Sequence, residues 1–165
     1  MTDAADETAL ADALADPDLT VALAALDALV QRRVGARLFT VMAFDATTGI
    51  SRRIWTNAPE VYPEVYPVGG EKPLPQNDWT RQVIVQRRAW VANTPAEVAE
   101  MLFDHATIAA LGCGAALNLP VVVADQVIGT LNLLDAAGHF TSARLAAAYT
   151  LRLPGAAVLL RARLG

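Results

Sequence analysis

Two pairs of β-favouring segments, each closed by a short turn, constrain what this chain can fold into more than any other feature. In the first pair, Leu38-Phe39-Thr40-Val41-Met42-Ala43-Phe44 is apolar on both alternate faces, the pattern of a central strand covered on two sides. The turn-like connector Ala46-Thr47-Thr48-Gly49 leads into Ile50 to Asn57, so the two segments form a hairpin. In the second pair, Ala116 to Val123 and Val127 to Asp135 flank a tight turn at Ala124-Asp125-Gln126. Two hairpins imply an antiparallel sheet, not a run of βαβ units, and hence an α+β architecture.

Helices flank these hairpins. An alanine-rich stretch from Thr8 to Ala15 breaks at Asp16-Pro17, and a longer helix is expected from about Asp18 to Arg33, with the acid as cap and the proline in its first turn. Leu19, Leu23, Leu26 and Val30 recur at three- and four-residue spacing, so one face is buried, and Gly35 stops the helix. At the other end, Thr141-Ser142 caps a helix from about Ala143 that Pro154-Gly155 must kink or break.

Between the hairpins, residues 58–77 hold five of the nine prolines and Gly69-Gly70, and are expected to form the longest loop. Tyr62, Tyr66 and the following Trp79 argue against disorder, because aromatic rings seek contacts. Asn77 or Asp78 can cap a helix from Trp79 to Arg87, and Arg88 to Asn93 is strand-like. Thr94-Pro95-Ala96-Glu97 is a capping box with proline at the first helical position. Asp104 is expected to cap a short helix through Leu111, ended by the glycines around Cys113.

The 165 residues are 54% hydrophobic and 18% charged, which suits one well-packed domain burying roughly 70% of its unfolded surface. One cysteine excludes a disulfide framework and a thiolate zinc site. No apolar run approaches the roughly 20 residues that span a bilayer. The net charge of −4, with no basic cluster larger than a pair, argues against a nucleic-acid surface. The acidic start, Met1 to Glu7, lacks the Lys and Arg of a targeting peptide, so a cytoplasmic location is expected. Charge is unevenly spread: residues 1–31 carry seven acids and no base, whereas Arg144, Arg152, Arg161 and Arg163 follow the last acid, Asp135.

Several side chains are candidates for a ligand site. Trp55, Tyr62, Tyr66 and Trp79, in or beside the long loop, suit stacking on a planar or apolar ligand, with Asn57, Arg81 or Asn118 orienting it; they serve equally to fasten the loop to the sheet. Asn118 and Asn132 interrupt apolar strands and must be hydrogen-bonded, to loop backbone or within a polar cavity. Cys113 is either a reactive thiol or a small buried hydrophobe, and Asp104 with His105 either a proton-transfer pair or a helix start. Two distant histidines make no metal site, and no catalytic set is assigned.

Cys113-Gly114-Ala115-Ala116-Leu117-Asn118-Leu119-Pro120-Val121-Val122-Val123, followed after the turn by Val127-Ile128-Gly129-Thr130-Leu131-Asn132-Leu133-Leu134, resembles the closing hairpin of a GAF domain. The stretch from Ile54 to Trp79 resembles a subgroup of small bacterial GAF proteins of unassigned function, and the resemblance spans roughly residues 19–163. It implies a PAS-related α+β fold: a central antiparallel sheet, flanking N- and C-terminal helices on one face, and over the other a lid, here Ala58 to Leu111, closing a small-molecule pocket. The division it implies is an acidic segment with a short helix over 1–17 and one GAF-like domain over 18–165. Specialised members differ: the Cys-His pair that tethers a bilin, the Asn-Lys-x-x-x-Phe-x-x-x-Asp-Glu motif of cyclic-nucleotide binders and the several cysteines of free methionine-sulfoxide reductases are absent.

The resemblance thus implies a sensory, ligand-binding module that dimerises through its terminal helices. No kinase, cyclase or helix-turn-helix segment fits in the remaining residues, so its output is expected to pass through a partner protein. The ligand is an unidentified small molecule and no cofactor is named. An enzyme using Cys113 or Asp104/His105, and a purely structural module whose pocket is filled by Trp55, Tyr66 and Trp79, stand as alternatives.

Overall fold

The computed structural model describes residues 3–165. Two helices, α1 (Asp3–Ala15) and α2 (Leu19–Arg33), precede the hairpin β1 (Leu38–Asp45) and β2 (Ile50–Thr56). There follow β3 (Glu71–Pro73), a single turn α3 (Asp78–Thr80) continued by a π-helical turn over Arg81–Val85, β4 (Trp90–Ala92), α4 (Pro95–Met101) and α5 (His105–Ala110). The hairpin β5 (Ala115–Val123) and β6 (Gln126–Asp135) and the helices α6 (Ser142–Tyr149) and α7 (Arg152–Arg163) complete the chain. The strands form one antiparallel sheet in the order β3-β2-β1-β6-β5-β4.

Strand alternation divides the side chains between two cores. Phe39 and Val41, Leu117 and Leu119, and Leu131 and Leu133 point to one face, where they meet Leu23, Leu26, Leu29 and Val30 of α2 and Val158 and Leu159 of α7. Leu38, Ala116 and Leu134 point to the other, beneath Val83, Val98, Ile108 and Cys113 of the segment between the hairpins. Glycine sets the helix-to-sheet spacing: a Cβ on Gly129 would lie 2.7 Å from Leu159 Cδ2 and closer still to the Met42 carbonyl. Pro120 is tolerated in β5 because β4 pairs only with residues 116–118, leaving β5 an edge beyond them.

Several local expectations hold. Asp18 caps α2 through Thr20 N–H, and Gly35, at φ 76°, ends it. Thr94 and Glu97 form both hydrogen bonds of the capping box. Others are corrected. Residues 58–77 contain a strand, β3, too short to show a period of two and placed at the sheet edge where its Pro73 needs no partner. The expected helix from Trp79 to Arg87 is one α-turn and one π-turn. The C-terminal break falls at Thr150, four residues before Pro154, where the proline ring would strike the helical carbonyl, so Pro154 lies in the first turn of α7.

The acidic N-terminal segment docks within the same chain. Asp6 is buried and accepts 2.8 Å and 3.0 Å hydrogen bonds from Arg32, while Arg161 of α7 donates to the carbonyls of Asp16 and Pro17. No helix among the described residues is long and apolar enough to cross a membrane.

Candidate functional site

Between the sheet and the segment that covers it lies a cleft of about 160 Å³. Its floor comes from alternate residues of five strands, principally Thr40 and Met42 of β1, Ser51 and Arg53 of β2, Lys72 of β3, Asn118 of β5, and Thr130 and Asn132 of β6. Its roof is Tyr62, Leu74, Pro75, Asn77, Trp79, and the Met101–Asp104 corner between α4 and α5. Each roof element is locally fixed. Asn77 caps the turn carrying Trp79, its Oδ1 accepting from Thr80 N–H at 3.0 Å, and Leu102 turns extended to end α4.

A hydrogen-bond chain crosses the floor. Thr40, Asn132 and Asn118 stand directly opposite one another on β1, β6 and β5. Trp79 Nε1–H donates to Asn118 Oδ1 at 2.8 Å, Asn118 Nδ2–H to Asn132 Oδ1 at 2.8 Å, and Asn132 Nδ2–H to Thr40 Oγ1 at 3.2 Å. Both amides are buried, and every bond runs in one direction, from roof to β1. The chain fixes Trp79 over the sheet and makes the floor polar inside an otherwise apolar strand set. Each amide nitrogen keeps a second hydrogen that none of these bonds uses.

The charged groups lie on the β2–β3 side. The Arg53 guanidinium rests 4.8 Å from the Tyr62 ring centroid and donates through Nη1 to the Glu64 carbonyl at 3.2 Å. Its Nε is buried without a hydrogen-bond partner. Lys72 Nζ sits 5.4 Å from the ring centroid of Phe103, which is exposed at the mouth. Desolvation, and secondly the Arg53 charge, lower the Lys72 ammonium from the usual lysine range. Tyr62 Oη–H donates to Asp104 Oδ2 at 2.7 Å; burial first and this hydrogen bond second hold the phenol well above its ordinary range, so it stays a donor. Asp104 therefore turns its carboxylate to Tyr62 and makes no side-chain cap on α5, contrary to the expectation from sequence.

Of the aromatic and polar residues singled out in the sequence, Tyr62, Trp79, Asp104 and Asn118 line this cleft. Trp55 lies on the opposite face of the sheet, where its Nε1–H donates to Asp27 of α2 at 2.9 Å. Tyr66 is 45% exposed beneath the Arg52 guanidinium, outside the cleft. His105 is exposed on α5. Cys113 is packed in the lid-side core, where burial raises its thiol pKa. Asn57 accepts from Phe39 N–H at 2.8 Å, closing the end of the β1–β2 hairpin, and Arg81 pairs with Asp78 at the surface. Arg53, Lys72, Ser51 and Thr130 were not signalled: in the sequence the first is half of an Arg pair, and only the β1–β2 bulge and the β3 edge turn it and Lys72 to the same face.

No family model matches the chain, and no curated protein matches it. Solved structures do. The GAF domain/HD domain protein from Geobacter sulfurreducens superposes with a TM-score of 0.69 at 18% identity, over 90% of this chain and 95% of that one. The GAF domain of a phosphoenolpyruvate-protein phosphotransferase from Coxiella burnetii gives 0.69 at 16% identity, over 99% and 98% of the two chains. The GAF domain of a two-component sensor histidine kinase from Bacillus halodurans gives 0.67 at 13% identity, over 90% and 98%. Identities this low carry the fold alone. The superpositions take in nearly the whole six-stranded antiparallel sheet and its helices: this chain has the fold of a GAF domain.

Proposed function

We propose that this chain is a sensory module that binds a small molecule in the cleft between sheet and lid and passes its occupancy to a partner through the terminal helices. The observation that carries this reading is the make-up of the cleft: an apolar enclosure with a continuous hydrogen-bonded floor, unused amide hydrogens and an unpartnered guanidinium nitrogen. Of the groups named for an enzyme, Cys113 is buried outside the cleft and His105 is exposed away from it, while Asp104 lines the cleft and accepts from Tyr62, so neither the thiol nor an Asp104/His105 pair is presented there. A filled, purely structural pocket is disfavoured too, because Trp55 and Tyr66 leave the cleft to Trp79. A sensor histidine kinase domain among the fold neighbours fits the sensory reading.

The same reading takes the chain to be a homodimer joined through α7. Leu153 and Leu160 of that helix and Leu164 at its C-terminal cap are exposed, at 80%, 42% and 82%, and with Ala157 they repeat at the four- and three-residue spacing of a helix–helix seam. The α2 stripe around Leu23 is taken up by the chain's own core.

The test is native mass spectrometry of the purified chain, with a thermal-shift screen of small metabolites. A co-purifying molecule, or a compound that raises Tm and loses its effect in Asn132→Leu, is the expected result. The reading is overturned if no compound of the panel shifts Tm and none co-purifies.

A further inference from the structure

Resting on that binding reading, we propose that the cleft selects a small monocarboxylate, gripped side-on by Arg53 and countered by Lys72. Three observations carry this. The first is the state of the guanidinium. Nη1 is engaged by the Glu64 carbonyl, whereas among the described residues Nε is buried with no partner and Nη2 makes no hydrogen bond. The Nε–H and Nη2–H bonds are parallel and form the edge that matches the two oxygens of a carboxylate. An Nε–H desolvated by the fold and left unbonded is unfavourable unless a ligand supplies the acceptor.

The second is the charge set. Arg53 N–H donates to the Gly70 carbonyl across the β2–β3 ladder, and Lys72 lies two residues farther along β3, on the face that lines the cleft. Neither cation forms an ion pair among the described residues. Asp104 is the one acid in the lining, and it already accepts from Tyr62. The lining therefore holds one surplus positive charge, which balances a monoanion and leaves a phosphate dianion under-neutralised. The Arg53 charge is, after desolvation, the second cause that lowers the Lys72 pKa, and Asp104 offsets it only in part, in keeping with two cations facing a shared space.

The third is size and polarity. A space of about 160 Å³ admits only a small molecule, below the 300–1,000 Å³ usual for drug-sized ligands. Beyond the cations it is bounded by Leu38, Met42 and Leu134 and by the spare amide hydrogens of Asn118 and Asn132, so a short chain bearing one hydrogen-bond acceptor complements it.

The experiment uses the whole chain, ¹⁵N-labelled, titrated with short monocarboxylates of two to six carbons with and without a 2-oxo or 2-hydroxy group, with their primary amides, and with phosphomonoesters of similar size. Binding is read at the Trp79 indole N–H, one of three in the chain. The expected result is that at least one carboxylate binds tenfold or more tightly than its amide. Arg53→Gln should reduce that preference at least tenfold, and Lys72→Met should weaken carboxylate but not amide binding. Lys72→Met removes the charge while keeping an unbranched side chain against Phe103 of the lid. Amides binding as tightly as carboxylates, or phosphomonoesters binding more tightly, would overturn the monocarboxylate and leave the cleft reading standing. Failure of all three classes to perturb Trp79 would also overturn the monocarboxylate, and the cleft reading would then rest on the thermal-shift screen and native mass spectrometry alone.

Discussion

Replacing Asn118 by Ala removes the middle link of the hydrogen-bond chain, and the structure sets the size of the effect. The substitution orphans two groups, the Trp79 indole N–H and the Asn132 amide oxygen, whose bonds to Asn118 are both 2.8 Å. Asn132 is buried and its oxygen loses its donor altogether; Trp79 is half-buried and can recover water in part. Leaving a buried polar group unsatisfied costs about 1–3 kcal/mol, so the sum is about 2–4 kcal/mol, which lowers Tm by about 2–4 °C for each kcal/mol in a chain of this length. A double-mutant cycle isolates the link. Trp79→Phe deletes the donor, and with Asn118→Ala already present that deletion should hurt less, giving a coupling of about 1 kcal/mol in urea unfolding. Additivity within about 0.5 kcal/mol would show that the two side chains are merely neighbours, and the claim that the floor holds the roof would fall.

Further perturbations probe other parts of the account. Gly129→Ala drives a methyl against the Met42 carbonyl and Leu159, and because backbone cannot retreat as a side chain can, the loss should reach the upper end of the usual 1–3 kcal/mol for overpacking in urea melts; a change below about 0.5 kcal/mol would contradict the close approach of α7 to β6. Leu160→Glu should leave Tm nearly unchanged yet convert a dimer to a monomer in size-exclusion light scattering, and a wild-type monomer would refute the α7 seam. Glu97 accepts from the Asn93 and Thr94 N–H groups, which lower its folded pKa below 4.5. A depressed folded pKa gives stability that is fully present above the unfolded value and lost as pH falls below about 4.5, so Glu97→Gln should narrow the stability gap to wild type as pH drops through that window. A gap independent of pH would remove the charge from the capping argument.

Much of the frame is legible in the residues, and the reasons are local. Apolar alternation and short turns place both hairpins, and the Thr94-Pro95-Ala96-Glu97 box starts α4 where its spacing says it must. Asn118 and Asn132 stand out because an amide inside an apolar strand needs a partner, although only the sheet register reveals that each is the other's. The misplaced features depend on tertiary context. Trp55 and Trp79 look alike in the sequence, yet strand alternation sends the first to the helices while the cap at Asn77 holds the second over the floor. Asp104 has the position of a cap and serves Tyr62, 42 residues away. Arg53 and Lys72 carry no motif, since their convergence rests on an edge strand of three residues that no periodicity announces. Site residues brought together by register are invisible until the register is known.

The central claim is that the space between sheet and lid is a ligand site. The most direct measurement is a ¹H–¹⁵N correlation map of the whole chain with and without a compound that raises Tm. The account predicts shifts in the Trp79 indole and the Asn118 and Asn132 side-chain amides, with the Trp55 indole on the far face of the sheet unmoved. Shifts confined to the groove between β5 and α7, around Pro120, Tyr149 and Leu153, would place binding elsewhere and contradict it.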